Sequence, residues 1–293
     1  MTSRDTTTRP DVEPIDLLPE VRSDMSHQVR ATWVVTRREL LRLKQDKARM
    51  VTMLLQPVLF IFVMGTGLGS IVDTGGSVSF RTFLYPGVLA TSVLFTAAFA
   101  GISLVWDREF GFLREMMVAP IRRSSIVIGK CLGGATVAGF QGLILVCLAG
   151  AVHVPYDPTL IIGILAIQAL LAFSITAFGL MVAVRIKTMQ AFMGVMQLII
   201  MPMFFISGAL FPLAGLPAWL AALNRVDPLT YAVDPMRKLV FSHLDISPAA
   251  RHALDPGLTW GGWHVPALLE VAMVFLLGIT LLGIAIWEFT TTE

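Results

Sequence analysis

The residues of this chain that could do chemistry are few and scattered. The phosphate-binding pattern G-x-x-x-x-G-K-[ST] has no match, because the nearest fragment, Gly129-Lys130-Cys131, lacks the upstream glycine and the hydroxyl. The zinc motif H-E-x-x-H and the nucleophile elbow G-x-S-x-G are also missing. The five histidines have no acids at metal-ligand spacing. We therefore expect no catalytic residue, no metal site and no cofactor in this chain.

Ionisable residues inside apolar stretches mark transport pathways. Glu270 is the main one here, and it is either at the membrane interface or facing a cavity. Lys130 is expected to extend its ammonium group to the cytoplasmic surface. So few intramembrane acids disfavour an ion-coupled transporter and favour an external energy source. The uncharged polar residues inside apolar runs suit either helix–helix hydrogen bonds or a weakly polar path for an amphiphile: Gln56, Ser92, Thr96, Gln141, Gln168, Ser174, Thr176 and Gln197.

The elements that position these residues must lie in a membrane. Hydrophobic residues make up 55% of the 293 residues and charged residues only 14%, with a mean hydropathy of +0.75. A soluble domain carries about 25% charged residues, and a disordered chain needs low hydrophobicity. The composition therefore excludes both classes and predicts an all-α integral membrane protein.

Uninterrupted apolar runs of about 20 residues predict six transmembrane helices. The run 188–224 contains no charge and would form a helix about 55 Å long, nearly twice the hydrocarbon thickness. Its prolines and glycines break such a helix, so we predict one crossing followed by a re-entrant extracellular segment at 211–240. Two full crossings are the alternative. The predicted spans are 50–71, 82–106, 126–151, 158–184, 188–210 and 265–287.

The basic residues predict the orientation. The segments 25–50, 107–130 and 185–187 hold 14 Lys and Arg residues, and the segments between the other span ends hold five. By the positive-inside rule the first set is cytoplasmic, so both termini are predicted to be cytoplasmic. Residues 1–27 are predicted to form a flexible cytoplasmic tail ahead of a transmembrane domain at 28–290.

Residues 28–48 predict an amphipathic helix on the cytoplasmic surface. Val29, Trp33, Leu40 and Leu43 share one stripe at helical spacing, and Arg30, Arg37, Arg38 and Arg42 occupy the other faces, among lipid headgroups. A basic anchor with no further role is the alternative.

The loop 107–130 predicts a second cytoplasmic helix, at 107–120. Phe112, Leu113, Met116 and Met117 lie on one face at helical spacing, and Pro120 ends the helix. An exposed amphipathic helix of this kind suits a partner surface, although it could also lie on the membrane.

Three stretches, in this order among six spans, resemble the permease subunits of ABC-2 type transporters, in the branch of daunorubicin-resistance drug exporters and related lipid exporters. They are RRELLRLKQDKARMVTMLLQPVLFIFVMGTGLG at 37–69, WDREFGFLREMMVAPIRRSSIVIGKCLGG at 106–134 and FFISGALFPLAGLPAWLAALNRVDPLTYAVDPMRKL at 204–239. The resemblance covers about residues 30–290. One departure is Phe112, where the family often has a small hydroxyl residue.

The resemblance implies that two permeases, as a homodimer or heterodimer, assemble with two copies of a separate ABC ATPase that binds ATP and Mg²⁺. It implies no nucleic acid partner and a location in the plasma membrane of a bacterium. Three groups of residues are implied as functional. The coupling helix would contact the ATPase through Asp107, Arg108, Glu109, Phe110, Arg114, Glu115, Pro120 and Arg122. The interfacial helix would act through Trp33, Arg37, Arg38 and Arg42. The re-entrant segment would cap the outer end of the path through Ser207, Gly208, Pro212, Pro217, Trp219, Pro228 and Tyr231.

The function expected from this resemblance is export of a hydrophobic or amphiphilic drug, antibiotic or lipid. A permease for a polysaccharide or glycolipid carrier is the alternative within the class. A non-transporting membrane scaffold or immunity protein is the alternative outside it.

Overall fold

The computed structural model describes residues 25–70, 78–118, 121–212, 216–244, 246, 254, 256–260 and 262–292. Within these residues the protein is almost entirely helical. Residues 1–24 of the predicted tail, and Pro120 with the end of the predicted coupling helix, lie outside them.

Twelve α-helices are found in the described part of the chain. They are α1 (Met25–Gln45), α2 (Lys47–Leu59), α3 (Gly65–Gly67), α4 (Phe80–Phe99), α5 (Ile102–Glu109), α6 (Phe112–Val118), α7 (Arg123–Val146), α8 (Pro158–Arg185), α9 (Met189–Ile206), α10 (Ala218–Val226), α11 (Thr230–Ser242) and α12 (Ala267–Thr292). A π-helical turn, Phe60–Met64, joins α2 to α3. The strands β1 (Thr259–Trp260) and β2 (Trp263–His264) pair antiparallel in a short hairpin.

Six helical stretches in the described residues are long and apolar enough to cross a membrane. They are Met50–Gly67, Phe80–Glu109, Arg123–Val146, Pro158–Arg185, Met189–Ile206 and Ala267–Thr292. The protein is therefore an all-α integral membrane protein, as the sequence predicts. The second stretch, formed by α4 and α5, is also the most buried, and α4 packs against both α7 and α8.

The two ends of this bundle can be told apart from contacts between the helix termini. Arg185 at the end of α8 pairs with Glu288 near the end of α12. Arg123 at the start of α7 donates to the Thr290 carbonyl, 3.0 Å away. These termini and the α5–α6 segment define one end, which we call the α6 end. The start of α12, α10 and the β hairpin lie at the opposite end, which we call the hairpin end.

Candidate functional site

A buried carboxylate links three helices at the α6 end. Asp107, on the last turn of α5, is completely inaccessible to solvent. Its Oδ1 accepts hydrogen bonds from Arg38 Nη2 at 2.5 Å and Arg42 Nη2 at 3.1 Å, both from α1. Its Oδ2 accepts one from Lys130 Nζ on α7 at 2.6 Å. A single carboxylate therefore binds α5 to both α1 and α7.

Lys130 completes this charge network, which consists of Arg38, Glu39, Arg42, Asp107 and Lys130. The ammonium group, which is 2% exposed, also lies 3.2 Å from Glu39 Oε1. Three cations thus face two anions, with Asp107 and Lys130 enclosed and the two arginine side chains about a third exposed. Burial of charge is tolerated when each charge is paired and hydrogen-bonded, and removal of one partner leaves an uncompensated charge.

Three sequence predictions fail at this network. Lys130 does not extend to the surface, because Asp107 and Glu39 neutralise it inside the protein. Asp107 is not a surface contact residue, since its side chain is enclosed. Arg38 and Arg42, expected among lipid headgroups, are instead oriented towards Asp107. The sequence predictions assumed that a charged side chain must reach solvent or lipid headgroups. Here each charge is compensated by an opposite charge within the protein, so it can be enclosed.

Helix α1 packs against a glycine-containing face of α7. A Cβ atom added at Gly129 would lie 2.7 Å from the Val35 Cβ, and one at Gly133 would lie 2.7 Å from the Glu39 Cβ. Thr36 Oγ1 donates to the Gly129 carbonyl at 3.1 Å. Since real Cβ contacts are longer than 3.0 Å, only glycine lets the two backbones approach this closely.

The buried face of α1 differs from the predicted stripe. It comprises Gln28, Val35, Thr36 and Leu43, whereas Val29 and Trp33 are exposed. The reason is that the surface of α7 contains glycines and hydrogen-bonding groups, so polar residues of α1 can pack against it. Gln28 Oε1, for example, accepts hydrogen bonds from the Arg122 amide at 3.0 Å and from Ser125 Oγ at 2.8 Å.

The predicted coupling helix at 107–120 is two helices in the structure. Asp107, Arg108 and Glu109 end α5, and Gly111, with a φ of +83°, makes the break before α6. Positive φ is readily adopted only by glycine. The second helix, α6, exposes Phe112, Arg114 and Glu115 and buries Leu113. Phe110, in the break, and Arg122, before α7, are exposed as well.

Arg108 and Glu109 fasten this segment to the turn between α8 and α9. Arg108 Nη1 donates to the carbonyl of Ala183 in the last turn of α8 at 3.0 Å and to that of Ile186, just after the helix, at 2.8 Å. Glu109 Oε2 accepts the Met189 amide at 2.9 Å, where a carboxylate also stabilises the start of α9. These two residues, predicted as partner contacts, therefore already hold contacts within the chain.

The predicted re-entrant residues lie near the hairpin end. Ser207 Oγ donates to the Phe204 carbonyl at 3.0 Å, and Gly208 adopts a φ of +71° where α9 stops. Helix α9 ends at Ile206, earlier than predicted, and residues 213–215 lie outside the described part. Pro217 precedes α10, whose Trp219 is exposed, and Tyr231 Oη donates to the Arg225 carbonyl at 2.6 Å. Pro212 and Pro228 are half-buried.

Charged residues that the sequence did not single out are buried beside this segment. Arg237 on α11 donates to the Gly208 carbonyl at 2.7 Å and lies over the Phe83 ring, 4.5 Å from its centroid. Lys238 Nζ lies 2.6 Å from Asp234 Oδ2 and 2.9 Å from Glu270 Oε1. Glu270 is thus enclosed by protein at the hairpin end and paired with Lys238. The i,i+4 spacing of Asp234 and Lys238 was the one sequence feature that could have predicted this ion pair.

A cavity of about 310 Å³ lies between α2, α4, α7 and α9. Its lining combines aromatic rings with uncharged polar groups, including Gln56, Ser92, Phe95, Thr96, Gln141 and Phe204. Thr96 Oγ1 and Gln141 Oε1 are hydrogen-bonded, and Gln141 Nε2 donates to the Met53 carbonyl at 2.7 Å. Four of the polar residues predicted from the sequence, Gln56, Ser92, Thr96 and Gln141, therefore come together here.

No group of three or more His, Cys, Asp and Glu residues that could hold a metal occurs in the part of the chain that the structure describes. The polar clusters found there are ion pairs and hydrogen bonds between helices. Together with the six candidate spans, they define a multi-pass membrane protein whose exposed α6 is tied to several of its helices.

Comparison with known proteins identifies the family. Residues 30–241 match the family described as ABC-2 type transporter. The chain is 27% identical over 220 residues to "Putative transport permease ycf38" of Cyanophora paradoxa, covering 73% of this chain and 75% of that protein. It is 29% identical over 202 residues to "Nodulation protein J" of Rhizobium leguminosarum bv. trifolii, covering 68% and 77%. The chain belongs to the ABC-2 type transporter family. It is a transport permease, a non-catalytic membrane subunit, and the family implies an ABC ATPase as its partner.

Proposed function

We propose that this permease belongs to an exporter of the daunorubicin-resistance branch, which moves a hydrophobic or amphiphilic drug, antibiotic or lipid out of the cell. A separate ABC ATPase, binding ATP and Mg²⁺, supplies the energy. The observation that carries the proposal is the connection of an exposed amphipathic helix, α6, to a buried charge network through α5.

In this proposal α6 is the coupling helix. Its exposed Phe112, Arg114 and Glu115 bind a groove of the ATPase, with Phe110 and Arg122 at the edge of the contact. Closure of two ATPase copies on ATP pushes α6, and α5 passes the displacement on. Asp107 carries it to α1 and α7, while Arg108 and Glu109 carry it to the ends of α8 and α9.

The cavity between α2, α4, α7 and α9 is the proposed substrate path. Its mixed lining suits an amphiphile, since pockets that bind small molecules are mostly apolar with a few placed polar groups. The spans Met50–Gly67 and Met189–Ile206 line this cavity and, with Ala267–Thr292, are the least buried of the six. A second permease subunit, identical or homologous, would cover these helices and enclose the path.

The remaining parts of the proposal concern orientation. Both termini and the α6 end are cytoplasmic in a bacterial plasma membrane, so α1 lies at the cytoplasmic surface with Trp33 and Arg37 outward. The described residues of the segment 211–240, with Ser207 and Gly208, then cap the outer end of the path. Arg237 supports this role, because it fixes the Gly208 break to α11.

The test is transport by the permease reconstituted in vesicles with its ATPase. Ser92→Phe fills the cavity, and Thr136→Phe, at an exposed position of α7, is the matched control. We expect ATP-dependent movement of fluorescent amphiphiles in the wild type and the control, and its loss in S92F. Movement of a polyprenyl-linked saccharide in place of drugs and lipids would overturn the substrate class. A protein that never assembles with an ATPase would overturn the exporter in favour of a scaffold or immunity role.

A further inference from the structure

We propose that a second cavity, between α8, α9, α10 and α12, holds an acyl chain of a resident anionic phospholipid whose phosphate pairs with Arg225. The cavity has a volume of about 740 Å³. It is separate from the proposed substrate path and shares no lining residue with it. The inference concerns a lipid that stays with the protein, and it holds whatever the exported substrate is.

The walls of this cavity have the chemistry of a hydrocarbon site. Ile175 and Phe178 come from α8, Met203 from α9, and Leu277 and Leu281 from α12. All three helices are candidate membrane spans, so the cavity lies at the depth of lipid chains. Along α12 the lining runs from Met273 to Leu281, a rise of about 12 Å, which is close to the thickness of one leaflet's hydrocarbon, about 15 Å.

One end of the cavity is polar and cationic. Arg225, Tyr231 and Trp260 line it at the hairpin end. Arg225 is exposed, and no ion pair joins it to an acid among the residues that the structure describes. The Tyr231 hydroxyl donates to the Arg225 carbonyl, and the Trp260 ring packs edge-on against Tyr231 with centroids 6.3 Å apart. The end of α10 is therefore held against the mouth of the cavity.

The mouth lies at the depth of lipid headgroups. Trp219, Trp260 and Trp263 are exposed at the same end, and exposed tryptophans gather at the membrane–water interface. The nearby Asp227 is buried, and burial raises the pKa of its carboxyl to about 7, so at neutral pH it only partly offsets the charge of Arg225. A guanidinium placed there matches a phosphate, which it binds in a bidentate manner. An apolar cavity under a cation at this depth fits a diacyl lipid of net negative charge.

The experiment measures lipids retained by the purified full-length protein, using native mass spectrometry. The probes are dioleoyl phosphatidylglycerol and dioleoyl phosphatidylcholine, offered together at equal concentration. The wild type should retain one phosphatidylglycerol with on the order of tenfold preference, because both lipids carry the phosphate but the choline ammonium of phosphatidylcholine offsets its charge and repels Arg225. Arg225→Gln should bring the preference close to unity, and Arg225→Lys should keep part of it, because the ammonium retains the charge and loses the bidentate geometry.

Arg81→Gln is the matched control, because Arg81 is a cation at the start of α4 that does not line this cavity. It should keep the wild-type preference. Leu277→Trp should reduce retention of both lipids by filling the cavity. An unchanged preference in R225Q, or an equal loss in R81Q, would overturn the proposal. Loss of the permease dimer in R225Q would also overturn the proposal, because it would show that the cavity is part of a subunit interface. Release of the lipid by ATP turnover would make it a substrate and overturn its resident role.

Discussion

Lys130 Nζ lies 2.6 Å from Asp107 Oδ2, and both side chains are almost completely enclosed by protein. Asp107 ends α5 and Lys130 lies within α7, so the pair fixes the coupling segment to the body of the bundle. Arg38 and Arg42 approach the same carboxylate from α1. Any displacement of α5 must therefore move α1 and α7 or break these bonds.

Single removal of either member of this pair should destabilise the protein. Asp107→Asn leaves three cations facing Glu39 alone, which should cost about 3–5 kcal/mol. Lys130→Met should cost less, since Asp107 keeps its bonds to Arg38 and Arg42. The double variant D107N/K130M should lose less stability than the two single variants added together, because it removes one positive and one negative charge and so restores the net charge of the network. Thermal unfolding in detergent measures the cycle. Strict additivity of the two losses would show that the residues do not interact.

The exposed face of α6 should control ATPase binding without affecting the fold. Exchange of its charges, Arg114→Glu with Glu115→Arg, should lower the amount of ATPase that co-purifies by about tenfold. That factor corresponds to a loss of about 1.4 kcal/mol in binding free energy. The melting temperature should stay the same, since both side chains are exposed. Lys44→Glu, at an exposed position of α1, is the control and should bind the ATPase normally. Glu109→Arg is a poorer test, because Glu109 also accepts the Met189 amide.

Two glycines of α7 provide a matched pair for the docking of α1. A Cβ at Gly129 would meet the Val35 Cβ at 2.7 Å and the Thr32 carbonyl oxygen at 2.8 Å, whereas one at Gly139 meets nothing within 4 Å. Gly129→Ala should therefore destabilise the protein and uncouple ATP hydrolysis from transport. Gly139→Ala should be neutral or stabilising by up to about 1 kcal/mol, the helix-propensity gain. Equal melting temperatures for the two variants would contradict the close contact.

Asp227 should make stability depend on pH. Burial raises the pKa of its carboxyl to about 7, while the unfolded chain loses this proton near pH 4. Between these values the folded protein binds the extra proton, so the free energy of unfolding should fall as pH rises, by at most about 1.4 kcal/mol per pH unit. Above pH 7 the dependence should level off.

The measurement is the melting temperature between pH 5 and 8. Asp227→Asn should flatten the dependence, because the amide does not titrate. Glu115→Gln is the control and should keep the wild-type slope, since this exposed carboxylate is solvated in both states. A wild-type slope in D227N would assign the pH dependence to another group.

The helices were predictable from the sequence because their signal is local. Runs of apolar residues between charges gave the six spans, whereas the break at Gly111 inside the predicted helix 107–120 was missed. The charge network was not predictable, since Arg38 and Asp107 are 69 residues apart and nothing in either segment indicates the other. The same limitation hid Arg237, which lies over Phe83 in a contact that only the folded chain creates.

The surface of α1 that packs against α7 was not predictable from the sequence pattern either. Val29 and Trp33 form an apolar stripe, yet the face of α1 that packs on protein is the more polar one. An amphipathic pattern in a membrane protein can mark contact with lipid, and the contact with protein then depends on small residues of the partner such as Gly129 and Gly133. Those glycines were visible in the sequence, but their partner was not.

The docking of α1 on α7 also imposes an order of assembly during synthesis. Thr36 binds the carbonyl of Gly129, 93 residues further along the chain. At about 5–20 residues per second, translation takes about 5 to 20 s to reach that residue. During this interval α1 has neither its glycine surface nor Asp107 for its arginines. The first helix made is thus seated only after the third span has been synthesised.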